Sequence, residues 1–439
     1  MTPPAAASVG QLFSAEWHQT LCMRVEAALA AVQARRGIIP AEAAAEIART
    51  ASPEFVPVAR VAAERERLGH TFVAIIEPWS ELLGEAAEWL HFGATSADIL
   101  DTVLVVQCRD AVRIFLEQLR ALEERLLELA AEHRATVMIG RTVGRHALPI
   151  TFGLKVAAWL GENRRNIDRL ASWRDRTTTG TLSGAVSSYA ALGDDAFGVE
   201  ADFTAELGLG EPWPMDWKGS RDMFAEYAAL LAVVAQTWSK IAQELFLLQG
   251  DDIREIEEQT IGIGSSTMPH KINPLHSRTV MARAREITHA PGVLLDWMVS
   301  IYERDQVSSA ETLGTVSTGL ERLLRAAAAM LSGLVVNADT MRANVGRTRG
   351  LIMAERAMFL LAPAIGKHTA HHEVRLAAAE AWKNGTTLAE ELRRRPAIAS
   401  VRESLAIIDR LDPAGYVGLA PQAVDRTIAF IRERRAADR

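Results

Sequence analysis

Residues 262–274 read GIGSSTMPHKINP and gather small, polar and charged side chains into one short stretch. Ser265 and Ser266 supply hydroxyls and accessible amides, Lys271 a cation and Asn273 a neutral donor. The glycines free the backbone, and Pro274 stops whatever precedes it. A helix start, LHSRTVMARARE, follows, and the free amides of a helix start attract anions. Together these groups suit an anionic substrate. A plain connector between helices has no need of this ordering.

Three more segments carry chemistry-bearing residues out of the surrounding pattern. In GATSADILDT, Thr95 and Ser96 can either cap the helix that follows or offer their hydroxyls to a carboxylate, and His91 stands just before them. GRTVGRHALPITFG packs Arg141, Thr142, Arg145 and His146 into six residues. TLSGAVSSYAALG is a run of small residues around Ser183 that lets a backbone approach a ligand. Arg141 and Arg221 suit the two-point grip of guanidinium on carboxylate, with an ordinary salt bridge as the competing use. GKHTAHHE sets His368, His371 and His372 close together near Glu373, but the sequence announces neither the remaining ligand nor the supporting shell of a metal site. No metal and no cofactor is expected.

The elements that must position these loops read as helices. Gly93 and Gly140 enclose a stretch without glycine or proline, in which apolar residues recur at three- and four-residue steps. A second run, from Met223 to Gly250, is apolar on more than one face, as in a helix central to a bundle. Further helices are expected over Phe152–Arg176, Leu275–His289 and, with breaks, Val293–Leu334. The fold class is therefore all-α, with a long central bundle over 96–345 between helical domains at 1–95 and 346–439.

Composition narrows the function classes. With 49% hydrophobic and 23% charged residues the chain can bury a large core. A net charge of −7 over 439 residues leaves no basic footprint for nucleic acid and no polybasic membrane patch. No stretch reads as a membrane span or a signal peptide. Cys22 and Cys108 are the sole cysteines, so no disulfide framework is expected and a reducing cytoplasm is the default compartment.

GSSTMPHKINP resembles the signature loop of the fumarase/aspartase superfamily, in the form GSSxMPxKxNP. WLHFGATSADILDT and GRTVGRHALPITFGLK are similar to segments of adenylosuccinate lyases. The run from Arg221 to Glu258 resembles the central helix of both those enzymes and the carboxymuconate cycloisomerases, and the tail from Gly366 onward looks most like the cycloisomerases. The resemblance spans nearly the whole chain. It implies a three-domain helical subunit and a homotetramer around a twenty-helix core, with active sites formed where loops of three subunits meet. It also implies a small dicarboxylate substrate and a β-elimination that releases fumarate, or the related lactone chemistry.

By the same resemblance Ser265 is the base, and Lys271 and Asn273 stabilise the dianion formed when the carbon-bound proton is removed. A serine hydroxyl serves as a base where amides and an ammonium favour its oxyanion. Ser266 and Met268 of the motif, with Thr95, Ser96, Thr142, Arg141, Ser183, Arg221 and Arg304, are the expected substrate contacts. The pattern fails at three places. Val143 stands where adenylosuccinate lyases carry a histidine acid, the Arg-Tyr segment that helps bind nucleotide phosphate is not evident in LFSAEWHQTL, and Leu313 replaces a phosphate-binding arginine. His91 or His146 must then deliver the proton, or the leaving group must depart as an anion. The expectation is a carbon–nitrogen lyase acting on a small substituted succinate, nitrosuccinate being one example. A cycloisomerase, an adenylosuccinate lyase and a crystallin-like structural protein are the alternatives.

Overall fold

The computed structural model describes residues 6–259, 264–305, 308–398 and 401–438. Its main elements are α1 (Ala15–Arg35), α2 (Val73–Leu83), α3 (Ser96–Glu132), β1 (Val137–Thr142), β2 (Arg145–Thr151), α4 (Phe152–Thr177), α5 (Asp222–Leu248), β3 (Ile256–Glu258), α6 (His276–Thr288), α7 (Ala310–Ser332), β4 (Leu334–Val336) and α8 (Lys367–Asn384), with shorter helices between. The chain divides into two compact units. One holds residues 1–120, 166–238 and 282–325; the other holds 121–165, 239–281 and 326–439. Every change of unit falls inside one of the helices α3 to α7.

The long helices follow from what the sequence omits. α3 runs for 37 residues because nothing in it breaks the i→i−4 ladder, and Ile99, Val103 and Val106 bury one stripe at helical spacing. In the first unit that stripe packs into a core with α1 and α2. The indole of Trp79 is buried there and donates to Thr50 Oγ1 at 2.8 Å. The second unit has smaller apolar clusters, one around Ala357, Leu361, Val374 and Leu392, another around Ile139, Val345, Ile352 and Met353. α5 is less enclosed than its all-round apolar pattern predicts. Phe224, Leu231, Trp238 and Leu245 are buried, while Val233, Phe246 and Leu247 stay exposed because its apolar surface is wider than one chain covers.

The helical class holds, and GRTVGRHALPITFG departs from it locally as part of an antiparallel hairpin of β1 and β2 with Thr142 paired to Arg145. The turn residues Val143 and Gly144 both have positive φ, 51° and 70°, as a tight two-residue hairpin turn demands. Glycine takes that conformation freely; a β-branched valine does so under strain. β3 and β4 form a second short antiparallel pair. Gly153 lets the start of α4 pass the end of α3, since a Cβ there would lie 2.7 Å from the His133 carbonyl oxygen. Among the described residues no helix is long and apolar enough to cross a membrane.

Candidate functional site

In the first unit the chemistry-bearing loops are tied together by one buried carboxylate. Asp98, in the first turn of α3, accepts from the amides of Thr95 (2.9 Å), Ser183 (3.1 Å) and Gly184 (3.2 Å) and pairs with Lys218. Lys218 is only 1% exposed, and its ammonium also donates to Ser183 Oγ (2.8 Å) and the Gly184 carbonyl (3.0 Å). Asp216 takes the hydroxyls of Thr181 and Ser187 and lies 3.6 Å from the same ammonium. Buried charges survive when their remaining hydrogen-bonding capacity is met in this way. Three segments distant in sequence, 95–98, 181–187 and 216–218, are thereby held in one arrangement.

That arrangement leaves the capping of α3 to Asp98 rather than to the hydroxyls of Thr95 and Ser96. Neither hydroxyl has a hydrogen-bond partner among the described residues, so both stand free for a ligand at the start of α3. Ser183 has a different place: its hydroxyl is buried and committed to Lys218. Beside the loop, His91 Nδ1 lies 2.6 Å from Oε1 of the buried Glu26. Burial works against a charged imidazole here, but the hydrogen bond and charge of Glu26, with Asp98 adding, outweigh it and raise the His91 pKa above its ordinary value.

Arg221 is buried, has a φ of 53°, lies 3.4 Å from Asp305 and sits over the Trp297 ring at 4.8 Å. Its Nε and the Oδ2 of Asp101 are buried without a hydrogen-bond partner among the described residues. Burial pushes the Asp101 carboxyl up to about 6, and the charges of Arg221, Lys218 and Arg304 restrain the rise. Arg304 itself donates to the Ala185 carbonyl at 3.4 Å.

The signature loop belongs to the second unit. Ser265 Oγ accepts from the amides of Met268 (3.0 Å) and Thr267 (3.3 Å), which supplies the donors that favour a serine oxyanion. Asn273 Nδ2 donates to the Gly264 carbonyl, and the backbone of 271–273 runs so close to Gly264 that any side chain there would collide with it. Ser266, Met268 and Lys271 are exposed, and the Lys271 ammonium has no partner among the described residues. Gly262, at the head of the motif, lies outside the described residues. One expectation needs correcting. The amides that open α6 are not free for a substrate: Glu258 already accepts from His276 (2.9 Å) and Ser277 (3.2 Å).

The hairpin presents a mixed picture. Arg141 makes a two-point pair with Glu255 at 2.9 Å through both nitrogens, and Asn344 holds the same carboxylate at 3.0 Å. Its ordinary salt bridge is thus the use observed. Thr142 and His146 are exposed near the apex. The His146 pKa is lowered by partial burial and by Arg141 and Arg145, against a smaller opposite pull from Glu255. Val143, at the apex itself, is 99% exposed.

Sequence reasoning missed Lys218, Asp98, Asp216, Glu26, Glu255 and Glu258. Asp98 lay inside a motif already singled out; Glu26 sits singly in α1, and Asp216, Lys218, Glu255 and Glu258 lie in the loops and short strand flanking α5, where no spacing rule marks a long-range partner. Among the described residues no three metal-ligating side chains converge, and His368, His371 and His372 are all exposed.

Residues 9–288 match the family described as Lyase, and residues 350–427 match the adenylosuccinate lyase C-terminus. The N-acetyl-S-(2-succino)cysteine lyase of Dickeya dadantii is 35% identical over 92% of this chain and 90% of its own. The adenylosuccinate lyase of Methanocaldococcus jannaschii is 36% identical over 94% and 91%. Among solved structures, the 3-carboxy-cis,cis-muconate lactonizing enzyme of Pseudomonas putida superimposes with a TM-score of 0.88 at 30% identity, covering 98% of this chain and 97% of the other.

Proposed function

The chain belongs to the fumarase/aspartase superfamily of lyases, and from that premise we propose that it splits a small 2-substituted succinate by β-elimination, releasing fumarate and a thiol. The observation that carries the choice of a small leaving group is Leu313. It is fully buried in α7, so the position that holds a phosphate-binding arginine in adenylosuccinate lyases offers no charge to a nucleotide. Val143 points the same way, because no acid stands at the hairpin apex. A thiol has a pKa of about 8.5, so sulfur leaves as an anion or with mild acid help, whereas an alkylamine must be protonated first. Similarity to a succinocysteine lyase over nine-tenths of both chains supports sulfur as the departing atom.

In this reading Ser265 takes the proton from carbon, its oxyanion favoured by the amides of Thr267 and Met268. Lys271 and Asn273 take up the charge that accumulates on the adjacent carboxylate. Thr95 and Ser96 hold a substrate carboxylate through their free hydroxyls and the start of α3, with Thr142 assisting. Copies of the chain assemble as a homotetramer that completes each site. The test is fumarate absorbance with purified protein and a panel of succinates. S-(2-succinyl)-N-acetylcysteine is expected to give fumarate and free thiol in equal amounts. Turnover of adenylosuccinate or carboxymuconate in its place overturns the reading, and nitrosuccinate in the panel decides whether carbon–nitrogen cleavage is the better description.

A further inference from the structure

His91 is held by an unusual set of contacts. Its φ of 60° places a non-glycine residue in the left-handed region, a strain that persists only where surrounding contacts impose it. Glu26 Oε1 lies 2.6 Å from Nδ1, and Glu26 is 1% exposed. The Phe72 ring, just ahead of α2, packs at 4.9 Å between centroids. A carboxylate only accepts, so Nδ1 carries the proton of that bond. Nε2 has no hydrogen-bond partner among the described residues, and the side chain is 24% exposed. One ring nitrogen is thus locked onto buried Glu26 while the other is left without a partner among the described residues, four residues ahead of Thr95 in the chain.

We propose that Glu26 is a positioning residue: it fixes the His91 ring so that Nε2–H serves as the proton donor to the departing atom of the substituted succinate. The inference rests on the β-elimination reading above. The step balances. Ser265 accepts the proton from carbon, the new C=C forms, the C–S bond breaks with its electron pair going to sulfur, and His91 gives sulfur a proton. Fumarate and a thiol leave, after which Ser265 loses its proton to solvent and His91 regains one.

The charges around the ring favour this role. Glu26 from α1 and Asp98 from α3 are the charges acting on it, and the uncharged Phe72 ring packs against it from just ahead of α2. Together the two carboxylates outweigh the cost of burial and favour the imidazolium, the form able to donate a proton. The charged form of His146, the other candidate donor, is disfavoured by partial burial and then by Arg141 and Arg145. The fold therefore separates two histidines that the sequence left equivalent.

The experiment is Glu26→Gln and Glu26→Asp in the full chain, read two ways. In Glu26→Gln the NMR titration of His91 is expected to move at least about one pH unit lower, with Glu26→Asp between it and the parent. With an alkylthiol leaving group kcat should fall roughly 10- to 100-fold with little change in KM, and the basic limb of the kcat–pH profile should follow the titration. With a thiophenol leaving group, which departs without a proton, the loss should stay under about threefold. An unmoved His91 titration in either folded variant, or equal losses for both leaving groups, overturns the proposal. The titration needs no substrate, so failure of the elimination reading shows separately, as a parent enzyme that releases no fumarate from any succinate.

Discussion

The Asp98–Lys218 cluster of the first unit and the Ser265 loop of the second put the same kinds of group to opposite use. Both contain a lysine, serines, an asparagine or aspartate, and glycines. In the cluster every charge is buried and met: Lys218 has a carboxylate, a hydroxyl and a carbonyl, and Asp98 has three amides besides the ammonium. In the loop the lysine is exposed without a partner among the described residues, and the serine oxygen receives two amides but donates to nothing. A saturated cluster spends its hydrogen bonds on geometry and has none left for a ligand. An unsaturated loop is free to spend them on a reacting molecule. Residue type alone does not separate scaffold from reagent; the count of satisfied partners does.

This contrast is most exposed to refutation at Ser265. Ser265→Ala should cost roughly 10²–10⁴ in kcat on a turned-over succinate while leaving the urea midpoint unchanged, because no core contact depends on the hydroxyl. Unaltered turnover in the variant would remove the proposed base. The two lysines provide the next comparison. Lys218→Met should lower stability by about 3–5 kcal/mol in urea unfolding, since it strands Asp98 in the core. Lys271→Met should change stability by less than about 0.5 kcal/mol and act on turnover instead. Similar stability losses for the two would erase the distinction drawn here.

Asp101 gives the smallest effect and a test by pH. Its folded-state carboxyl is raised to about 6 from 3.8, so the folded chain holds that proton more tightly than the unfolded one. The sign follows: stability is greatest below about 4 and is lost as pH rises to about 6. Asp101→Asn should flatten that fall and leave the chain more stable above pH 7, on the order of 1–3 kcal/mol, the lower figure reflecting the counter-charge withdrawn from Arg221 and Lys218. An unchanged slope of stability between pH 4 and 6 would show that the buried oxygen is met by a group outside the described residues.

Much of the fold was legible because long helices announce themselves. The glycine- and proline-free stretch from 94 to 139 contains α3, and the runs at 152–176 and 223–250 match α4 and α5 within two residues. The hairpin at 137–151 was read as a loop, since its strands are short and its turn is Val-Gly rather than Asn-Gly. The candidate residues in the signature loop were legible for a different reason: their order is too specific for a connector.

By itself, then, the sequence determined the helical class, which depends on local spacing, and the family, which the resemblance of its motifs carries. Only the tertiary structure decided what each polar residue is for. It committed Arg141 to Glu255 and Ser183 to Lys218, left Thr95 and Ser96 open, and set His91 apart from His146 by placing Glu26 against one and two arginines beside the other. The reason is physical: burial and the charge of a partner 65 or 114 residues away set whether a side chain is spent or available, and neither can be read from its neighbours in the chain.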